Sequence, residues 1–505
     1  MTATREYDLP IQDVRVRHRN YYYYTSIVMA EPESEEEARQ IGEAAEAGIK
    51  PELGRLLERW HGEHLPAISA HLDRLKSMEV RGLPRNEMMA ILDEADAIHQ
   101  DLWAIHFRIA HVMLVVIEVF SEFYTDLFDG DDADAHALLV GANSKSVMAG
   151  IALSDLAETA RELGLEEVFQ ETPVENLLPA LQATDKGREF LVSLHSFPDV
   201  YGLRQDLFDI ATPTWREDPS IALSSVRNYL RADHDARAQQ IAIARGADEA
   251  VAAACEKLAL YPEAVREQFE AMLQSARHGV FLQEEHNFYI DQQGLASLRF
   301  FYLRVGQYLK DLGILEAAED IFMLTVDEVR DALATDDASQ DHGGVRTLVV
   351  QRRTEMDIAQ TLTPPPFLGD PPSGPPPGDN PLQRTGTKFF GGPPQQAEHA
   401  NQLKGNPGSR GLRTGVARVA RTLEEALHLQ PGEILVAITT MPPWTPLFGV
   451  AAAVVTETGG SLSHCAIVAR EYGIPAVVGA YSATQRITTG QMITVDGSSG
   501  VVTLG

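Results

Sequence analysis

The residues with the clearest chemical potential lie between Thr456 and Cys465, in the segment TETGGSLSHC. This pattern predicts a strand, a turn at Gly459 and Gly460, and a helix that begins near His464. Backbone N–H groups at such a turn and at a helix N-terminus can bind a phosphoryl group, because they are unpaired and lie at the positive end of the helix dipole. An uncharged imidazole in the first helical turn is a nucleophile that can accept such a group. Three hydroxyls could support the new charge: Thr456, Thr458 and Ser463.

The same residues also fit a purely structural feature. Glycine turns before helices are common, and His464 would then be an ordinary residue near a helix cap. The motif alone leaves both interpretations open.

A second candidate site lies in the stretch from about 273 to 310. If this stretch is one continuous helix, seven-residue spacing places Glu285 and Arg299 on a polar stripe beside an aromatic stripe. The two stripes could line a pocket for an alcohol or a phenol. Glu285 or the adjacent His286 would accept the hydroxyl proton, and Arg299 would steady the transferred phosphoryl group. An aromatic core stripe beside a solvated face gives the same pattern.

The elements that must position these residues change in character near residue 340. Residues 1–340 contain 16 of the 38 glycines and are typical of long helices, whereas residues 341–505 contain 22 and are typical of short strands between turns. Nine of the eighteen residues from Pro364 to Pro381 are proline, which favours an extended spacer. We therefore predict a multidomain protein with a mostly α-helical domain over 1–340, a flexible Pro/Gly-rich linker over 341–402 and a small α/β domain over 403–505.

Composition narrows the class of protein. A net charge of −31 repels nucleic acid and anionic lipid, so neither is expected as a partner. The most apolar run, Ile109 to Phe120, is shorter than the roughly 20 residues that a spanning helix needs. Two distant cysteines, Cys255 and Cys465, support neither a disulfide framework nor a cysteine-based metal site, and we predict no metal ligands. A cytoplasmic location is the expectation.

The segment from Val455 to Gly479, VTETGGSLSHCAIVAREYGIPAVVG, resembles the phosphohistidine swivelling domain of phosphoenolpyruvate-utilising enzymes. Further elements of the likeness surround it, so that it spans about 403–505: Leu403–Gly405, Gly415–Val419, Gly432–Val436, Thr445–Phe448 and Val495–Gly497. The resemblance implies that His464 is the phosphoryl carrier. Cys465 stands where the family more often has alanine, and a small buried cysteine is the simplest interpretation.

Residues 140–340 resemble, less specifically, the helical segment that precedes this domain in the rifampin and phenylphosphate enzymes of the family. The likeness rests on Tyr201–Arg204, on Pro213–Pro219, and on Gly313–Leu315 with Glu319–Phe322. In that group the segment binds the substrate, which makes Arg204 and Arg216 candidates for substrate contacts. A turn held by ion pairs would explain the same residues.

The resemblance also indicates what is absent. Residues 1–340 offer neither the strands nor the glycine-rich phosphate loop of an ATP-grasp domain, and no G-x-x-x-x-G-K-[ST] motif occurs. We therefore expect a subunit similar to that of phenylphosphate synthase. An ATP-grasp partner would bind ATP and Mg²⁺, phosphorylate His464 and release AMP and phosphate. The domain would swing on the tether to a small hydroxylated, aromatic acceptor. A ligand-sensing phosphohistidine module and a component of a rifampin-type antibiotic phosphotransferase are the alternatives.

Overall fold

The computed structural model describes residues 5–19, 21–30, 32–141, 144–205, 209–232, 235–334, 343–362, 368–369 and 381–505. These residues form two compact units. The first comprises 1–109, 208–212 and 289–373, and the second comprises 110–207, 213–288 and 374–505. The prediction that the chain is mostly helical before residue 340 and ends in a small mixed α/β domain is confirmed.

The helices have the following bounds. In chain order they are α1 Glu35–Ile49, α2 Leu56–Arg59, α3 Leu65–Ser77, α4 Arg85–Phe128, α5 Asp132–Ala137, α6 Lys145–Glu162, α7 Glu166–Glu171, α8 Val174–Gln182, α9 Asp185–Tyr201, α10 Ser220–Ala232, α11 Ala236–Leu258, α12 Glu263–His286, α13 Leu295–Asp311, α14 Val326–Ala334, α15 Gly343–Gln360, α16 Pro381–Phe390, α17 Leu423–Ala426, α18 Thr445–Phe448, α19 His464–Glu471 and α20 Ala483–Arg486. Short 3₁₀ segments cover Lys50–Glu52, Ala318–Met323 and Pro442–Trp444, and π-helical segments cover Trp60–His64 and Asn287–Gly294.

The first unit combines an N-terminal hairpin with helices. The strands β1 (Ile11–Arg19) and β2 (Tyr22–Met29) pair antiparallel. Helix α1 begins after the S-x-x-E segment Ser34–Glu37, in which the Ser34 hydroxyl caps the helix by accepting a hydrogen bond from the Glu37 amide. Tyr22, Tyr23 and Tyr24 lie in β2, and the Tyr22 hydroxyl donates to the Ala359 carbonyl at the end of α15.

The long apolar helix α4 has 44 residues. By length and composition it could cross a membrane, and half of its most apolar window is buried inside the protein. Burial of that kind is also typical of a core helix in a globular domain.

The C-terminal domain in the second unit is built on one sheet. Its strands are β3 Gln402–Lys404, β4 Asn406–Ser409, β5 Leu412–Ala420, β6 Ile434–Ala437, β7 Ala453–Thr456, β8 Ala476–Val478, β9 Met492–Asp496 and β10 Val501–Leu504. The order is β3-β10-β9-β5-β6-β7-β8-β4, and the run β5-β6-β7-β8 is parallel. Every residue of β6, β7 and β8 is buried, as expected for parallel strands covered on both faces.

The helices between residues 110 and 288, which we call the helical body, share one apolar core with the C-terminal domain. This core joins Trp215, Leu223 and Tyr229 of the body to Phe448 and Tyr472 of the domain. Two glycines allow this close packing, since a Cβ on Gly150 would overlap the Tyr472 hydroxyl and one on Gly449 would lie 2.7 Å from the Tyr229 hydroxyl.

The structure bears on the predicted linker and on the predicted helix over 273–310. Helices α15 and α16 lie within the range 341–402 that the sequence predicts to be a linker, and of the proline-rich range 364–381 only Leu368, Gly369 and Pro381 are among the described residues. The stretch 273–310 is not one regular helix. Its π-helical segment Asn287–Gly294 shifts the helical phase, so seven-residue spacing does not carry a single stripe from Glu285 to Arg299.

Candidate active site

His464 is the first residue of α19, at the carboxyl end of the parallel strand β7. A β-α-β connection leads from β7 through α19 to β8, and ligands of open α/β sheets bind at this end of the strands. Ser463 is the extended N-cap residue, but its hydroxyl makes no cap hydrogen bond. The chain turns into the helix at Gly459, whose φ of +98° favours glycine. Local sequence therefore places His464 at a helix N-terminus.

The His464 side chain faces a buried carboxylate of the helical body. Its Nδ1 atom lies 3.3 Å from Oε1 of Glu284, and the two side chains are 17% and 4% exposed. Burial alone raises the pKa of Glu284. The charge and hydrogen bond of His464, the Ser146 hydroxyl and the Arg204 guanidinium outweigh burial and hold the pKa of Glu284 below its usual value.

An ionised Glu284 fixes the imidazole tautomer. The carboxylate can only accept, so Nδ1 carries the proton and donates to it. In the uncharged imidazole, Nε2 then keeps its lone pair. That atom is buried and has no hydrogen-bond partner among the described residues. The arrangement therefore presents a nucleophilic nitrogen at the tip of α19.

The predicted phosphate-supporting residues have different surroundings. The Thr456 hydroxyl donates to the Thr458 carbonyl at 2.9 Å, and the Thr458 hydroxyl donates to the Ile438 carbonyl at 3.2 Å. The amide of Gly460 donates to the Phe389 carbonyl at 3.1 Å. The Ser463 hydroxyl is buried without a hydrogen-bond partner in the described part of the chain. Of the three predicted hydroxyls, that of Ser463 therefore remains able to donate a hydrogen bond to a group on His464.

Arg204 is buried in the helical body and is 1% exposed. Its guanidinium donates to the carbonyls of Lys145 at 3.1 Å and Pro442 at 3.4 Å, and it faces the rings of Tyr201, Trp215 and Phe288 at 5.8, 5.8 and 6.0 Å. Burial lowers its pKa to about 10. Arg204 thus lies beneath the site, where its charge acts on Glu284. Arg216, the other arginine of this segment, is exposed, and its amide donates to the Gly202 carbonyl.

Glu285 and His286 follow Glu284 on α12 and are also buried. Burial raises the pKa of Glu285; the Lys145 ammonium opposes this shift and the Glu284 charge adds to it. Nδ1 of His286 lies 2.7 Å from the Leu282 carbonyl. Two adjacent carboxyl groups therefore differ in proton affinity, which is the usual basis for separate roles in proton transfer.

Arg299 belongs to the first compact unit, whereas His464, Glu284 and Glu285 belong to the second. Its guanidinium donates to the carbonyls of Ile210 and Ala211 at 2.8 and 2.9 Å and faces the Phe322 ring at 4.9 Å. These contacts fix a loop of its own unit.

Sequence reasoning missed Glu284, Ser146 and Lys145. Glu284 was adjacent to a predicted residue, but its contact with His464 spans 180 positions. No periodicity or local motif reports such a contact. The available signal was chemical: two consecutive glutamates in a stretch that is otherwise largely apolar and aromatic.

Two parts of the chain match known protein families. Residues 429–500, which contain β6, β7, α19 and β8, match the family "PEP-utilising enzyme, mobile domain". The C-terminal domain is similar to this family over those residues, and we call it the mobile domain from here on. Residues 109–284, which end at the glutamate that faces His464, match the "Rifampicin phosphotransferase fourth domain". The mobile domain is thus similar to a domain of PEP-utilising enzymes, and the helical body is similar to a domain of rifampicin phosphotransferase.

Three relatives extend the comparison beyond the mobile domain. Chondramide synthase of Chondromyces crocatus is 36% identical over 99% of this chain and 13% of its own length. An uncharacterized phosphotransferase of Bacillus subtilis is 32% identical over 79% of this chain and 47% of its own. A rifampicin phosphotransferase of Streptomyces sviceus is 31% identical over 73% of this chain and 41% of its own. The chain therefore spans less than half of each of these proteins.

Proposed function

We propose that this chain carries a phosphoryl group on Nε2 of His464 and passes it to a small hydroxylated organic acceptor bound by the helical body. The observation that carries the proposal is the Nδ1 contact with Glu284, which leaves Nε2 as a nucleophile at a helix N-terminus. The kinship of the mobile domain and the helical body with phosphotransferase domains supports it.

The first step places the phosphoryl group on the histidine. The Nε2 lone pair forms the bond to phosphorus as the bond to the donor's leaving oxygen breaks. Glu284 compensates the positive charge that develops on the ring. The first-turn amides of α19 and the Ser463 hydroxyl are the donors that would bind the transferred group.

The second step delivers the group to the acceptor. The acceptor oxygen forms a bond to phosphorus while the Nε2–P bond breaks, and the hydroxyl proton moves to a base. Glu285 suits that role, since its pKa is raised by burial and it lies beside the carboxylate that faces His464. Tyr201 and Phe288, whose rings meet on the helical body, would contact an aromatic acceptor.

In this proposal the described residues do not bind or cleave the nucleotide. ATP with Mg²⁺ would be bound by an ATP-grasp body, either on a separate subunit, as in phenylphosphate synthase, or on a longer polypeptide. The phosphotransferase relatives extend well beyond the region that this chain matches, which leaves room for such a body. AMP and phosphate would be the other products.

Two labelling experiments test the proposal. Potassium phosphoramidate, which phosphorylates histidine directly, should place acid-labile, base-stable phosphate on His464. His464→Ala should abolish the label on the peptide that contains residue 464, and the exposed His428→Ala of the same domain should retain the label on that peptide. With the ATP-binding partner and [β-³²P]ATP, a panel of phenols, alcohols and rifampicin should include one compound that is converted to a phosphoester. Absence of the histidine label would refute the carrier role, and a label without any phosphoester would indicate the sensing module.

A matched variant tests the acceptor step alone. Glu285→Gln should form phosphohistidine at the wild-type rate and slow phosphoester formation by about 10²-fold or more, the usual contribution of a general base. Equal phosphoester rates in the two proteins would remove Glu285 from the mechanism.

A further inference from the structure

Helix α16 is bound to the helical body by ion pairs. Nζ of Lys388 lies 2.8 Å from Oε2 of Glu118 and 2.7 Å from Oδ2 of Asp132, and Arg384 pairs with Glu122 at 2.5 Å. The Glu118 side chain is 1% exposed, so burial raises its pKa while the Lys388 charge opposes that shift. Lys388 is therefore the counter-charge of a carboxylate buried in helix α4.

The backbone at the C-terminal end of α16 contacts the phosphohistidine loop, which we define as Gly459–Ser463. The Lys388 carbonyl accepts from the Leu462 amide at 2.8 Å, and the Phe389 carbonyl accepts from the Gly460 amide at 3.1 Å. A Cβ on Gly460 would overlap the Lys388 carbonyl, so this glycine allows the helix to approach. Helix α16 thus connects the helical body to the loop that carries His464.

We propose that α16 is a docking strap that stays on the helical body when the mobile domain leaves, and that its departure from the loop frees two amides for the phosphoryl group. This inference rests on the function proposed above. Moving α16 with the mobile domain would break the ion pairs of Lys388 with Glu118 and Asp132 and of Arg384 with Glu122. Breaking a pair that includes a buried carboxylate is costly. Separating α16 from the loop exchanges two backbone hydrogen bonds for bonds to water, which costs little.

The hinge then lies just after the strap. Gly391 has a φ of +88°, and a Cβ there would lie 2.9 Å from the Gly459 carbonyl. Gly391 and Gly392 are the residues best able to absorb a large backbone rotation. This places the pivot of the mobile domain within the predicted linker 341–402, C-terminal to its proline-rich range 364–381.

The strap would also direct the phosphoryl group. In the undocked state the Gly460 and Leu462 amides can donate to it, whereas in the docked state the carbonyls of Lys388 and Phe389 occupy them. The group is therefore held by fewer donors where the Nε2–P bond must break and the acceptor O–P bond must form. A phosphoryl group that is bound less strongly before the transfer needs less free energy to reach the transition state.

The test uses a variant that undocks the mobile domain without touching α16. Gly150→Ala introduces a Cβ that overlaps the Tyr472 hydroxyl, and alanine by itself favours helix α6. Gly449→Ala acts from the other side of the same contact. The exposed Gly246→Ala of α11, which has open space around it, is the control. The rate of His464 labelling by potassium phosphoramidate identifies the undocked variant, because Nε2 is buried in the docked state.

Hydrogen–deuterium exchange is then measured for peptides covering 384–390 and 459–463. The proposal expects at least tenfold faster exchange in the loop peptide of the undocked variant and unchanged exchange in the α16 peptide. Loop amides that stay protected in a variant with faster labelling would show that α16 travels with the mobile domain. Unchanged labelling in both variants would equally overturn the proposal, since docking would then not control His464. Neither measurement requires acceptor turnover, so failure of the proposed function is seen separately.

Discussion

Oε1 of Glu284 lies 3.3 Å from Nδ1 of His464, although the two residues are 180 positions apart in the chain. This contact joins the helical body to the mobile domain at the atom opposite the one that would carry phosphate. It makes the carboxylate a positioning group for the histidine.

Glu284→Gln should disturb the histidine tautomer. An amide can donate to Nδ1 as well as accept from it, so the preference for a proton on Nδ1 is lost. We expect the ¹⁵N shifts of the His464 ring to move toward the other tautomer and transfer to the acceptor to fall by about 10²-fold. The exposed Glu270→Gln of the same helix should change neither. Ring shifts identical to those of the wild type would contradict the role assigned to Glu284.

Glu471 should make stability depend on pH. Burial raises its pKa to about 8, and the Glu284 charge adds to the shift while the Gly141 amide and Arg470 oppose it. The folded state therefore holds a proton that the unfolded state releases, and the free energy of unfolding should fall as pH rises from about 5 to 8. The slope is at most about 1.4 kcal/mol per pH unit.

The measurement for Glu471 is the difference in free energy of unfolding between wild type and Glu471→Gln across this pH range. Subtraction removes the other titrating groups, among them His64, whose pKa burial lowers to about 4. A difference that stays constant from pH 5 to 8 would show that the carboxyl is not buried as described.

Trp215→Ala should destabilise the second unit rather than merely weaken acceptor binding. The indole is buried, stacks on Phe197 at 6.1 Å and faces Arg204. Its removal leaves a large cavity, so the expected loss in free energy of unfolding is about 3–5 kcal/mol. Val192→Ala on the exposed surface of α9 should cost less than about 0.5 kcal/mol. Denaturant unfolding distinguishes the two, and a loss below about 1 kcal/mol for Trp215→Ala would contradict its core position.

Gly459→Ala and Gly490→Ala form a matched pair. Both glycines have positive φ, +98° and +92°, but a Cβ on Gly459 would lie 2.8 Å from the Ser463 hydroxyl, whereas Gly490 has open space. Each variant should lose about 1 kcal/mol from backbone strain, and Gly459→Ala should lose at least about 1 kcal/mol more. Thermal unfolding gives the difference. Equal losses would mean that the Gly459 turn relaxes without displacing Ser463.

The sequence predicted the local structure around His464 well. A strand, a glycine turn and a helix that begins at His464 all follow from short-range patterns, because hydrogen bonding and backbone sterics within about ten residues decide them. The change from helices to short strands after residue 340 was visible for the same reason. Glycine content and hydrophobic period respond directly to secondary structure.

Other expectations depended on regular geometry that the chain does not keep. Glu285 and Arg299 were assigned to one stripe on the assumption of a continuous helix. The π-helical segment Asn287–Gly294 shifts the phase between them, and Arg299 binds loop carbonyls in the other compact unit. A π-helical hydrogen bond spans one residue more than an α-helical one. This difference leaves almost no mark in composition, so periodicity could not detect it.

The sequence by itself determined where a phosphoryl-accepting histidine could lie and that helices precede a small α/β domain. The tertiary structure alone decided that Glu284 faces that histidine and that Arg204 lies buried beneath it. It also decided that Lys388 contacts the helical body through its side chain and the mobile domain through its carbonyl. The reason is physical. Local backbone preferences act between neighbouring residues, so short sequence patterns show them. The partner of a buried charge can lie at any distance along the chain, so it is known only once the folded chain brings the two groups together.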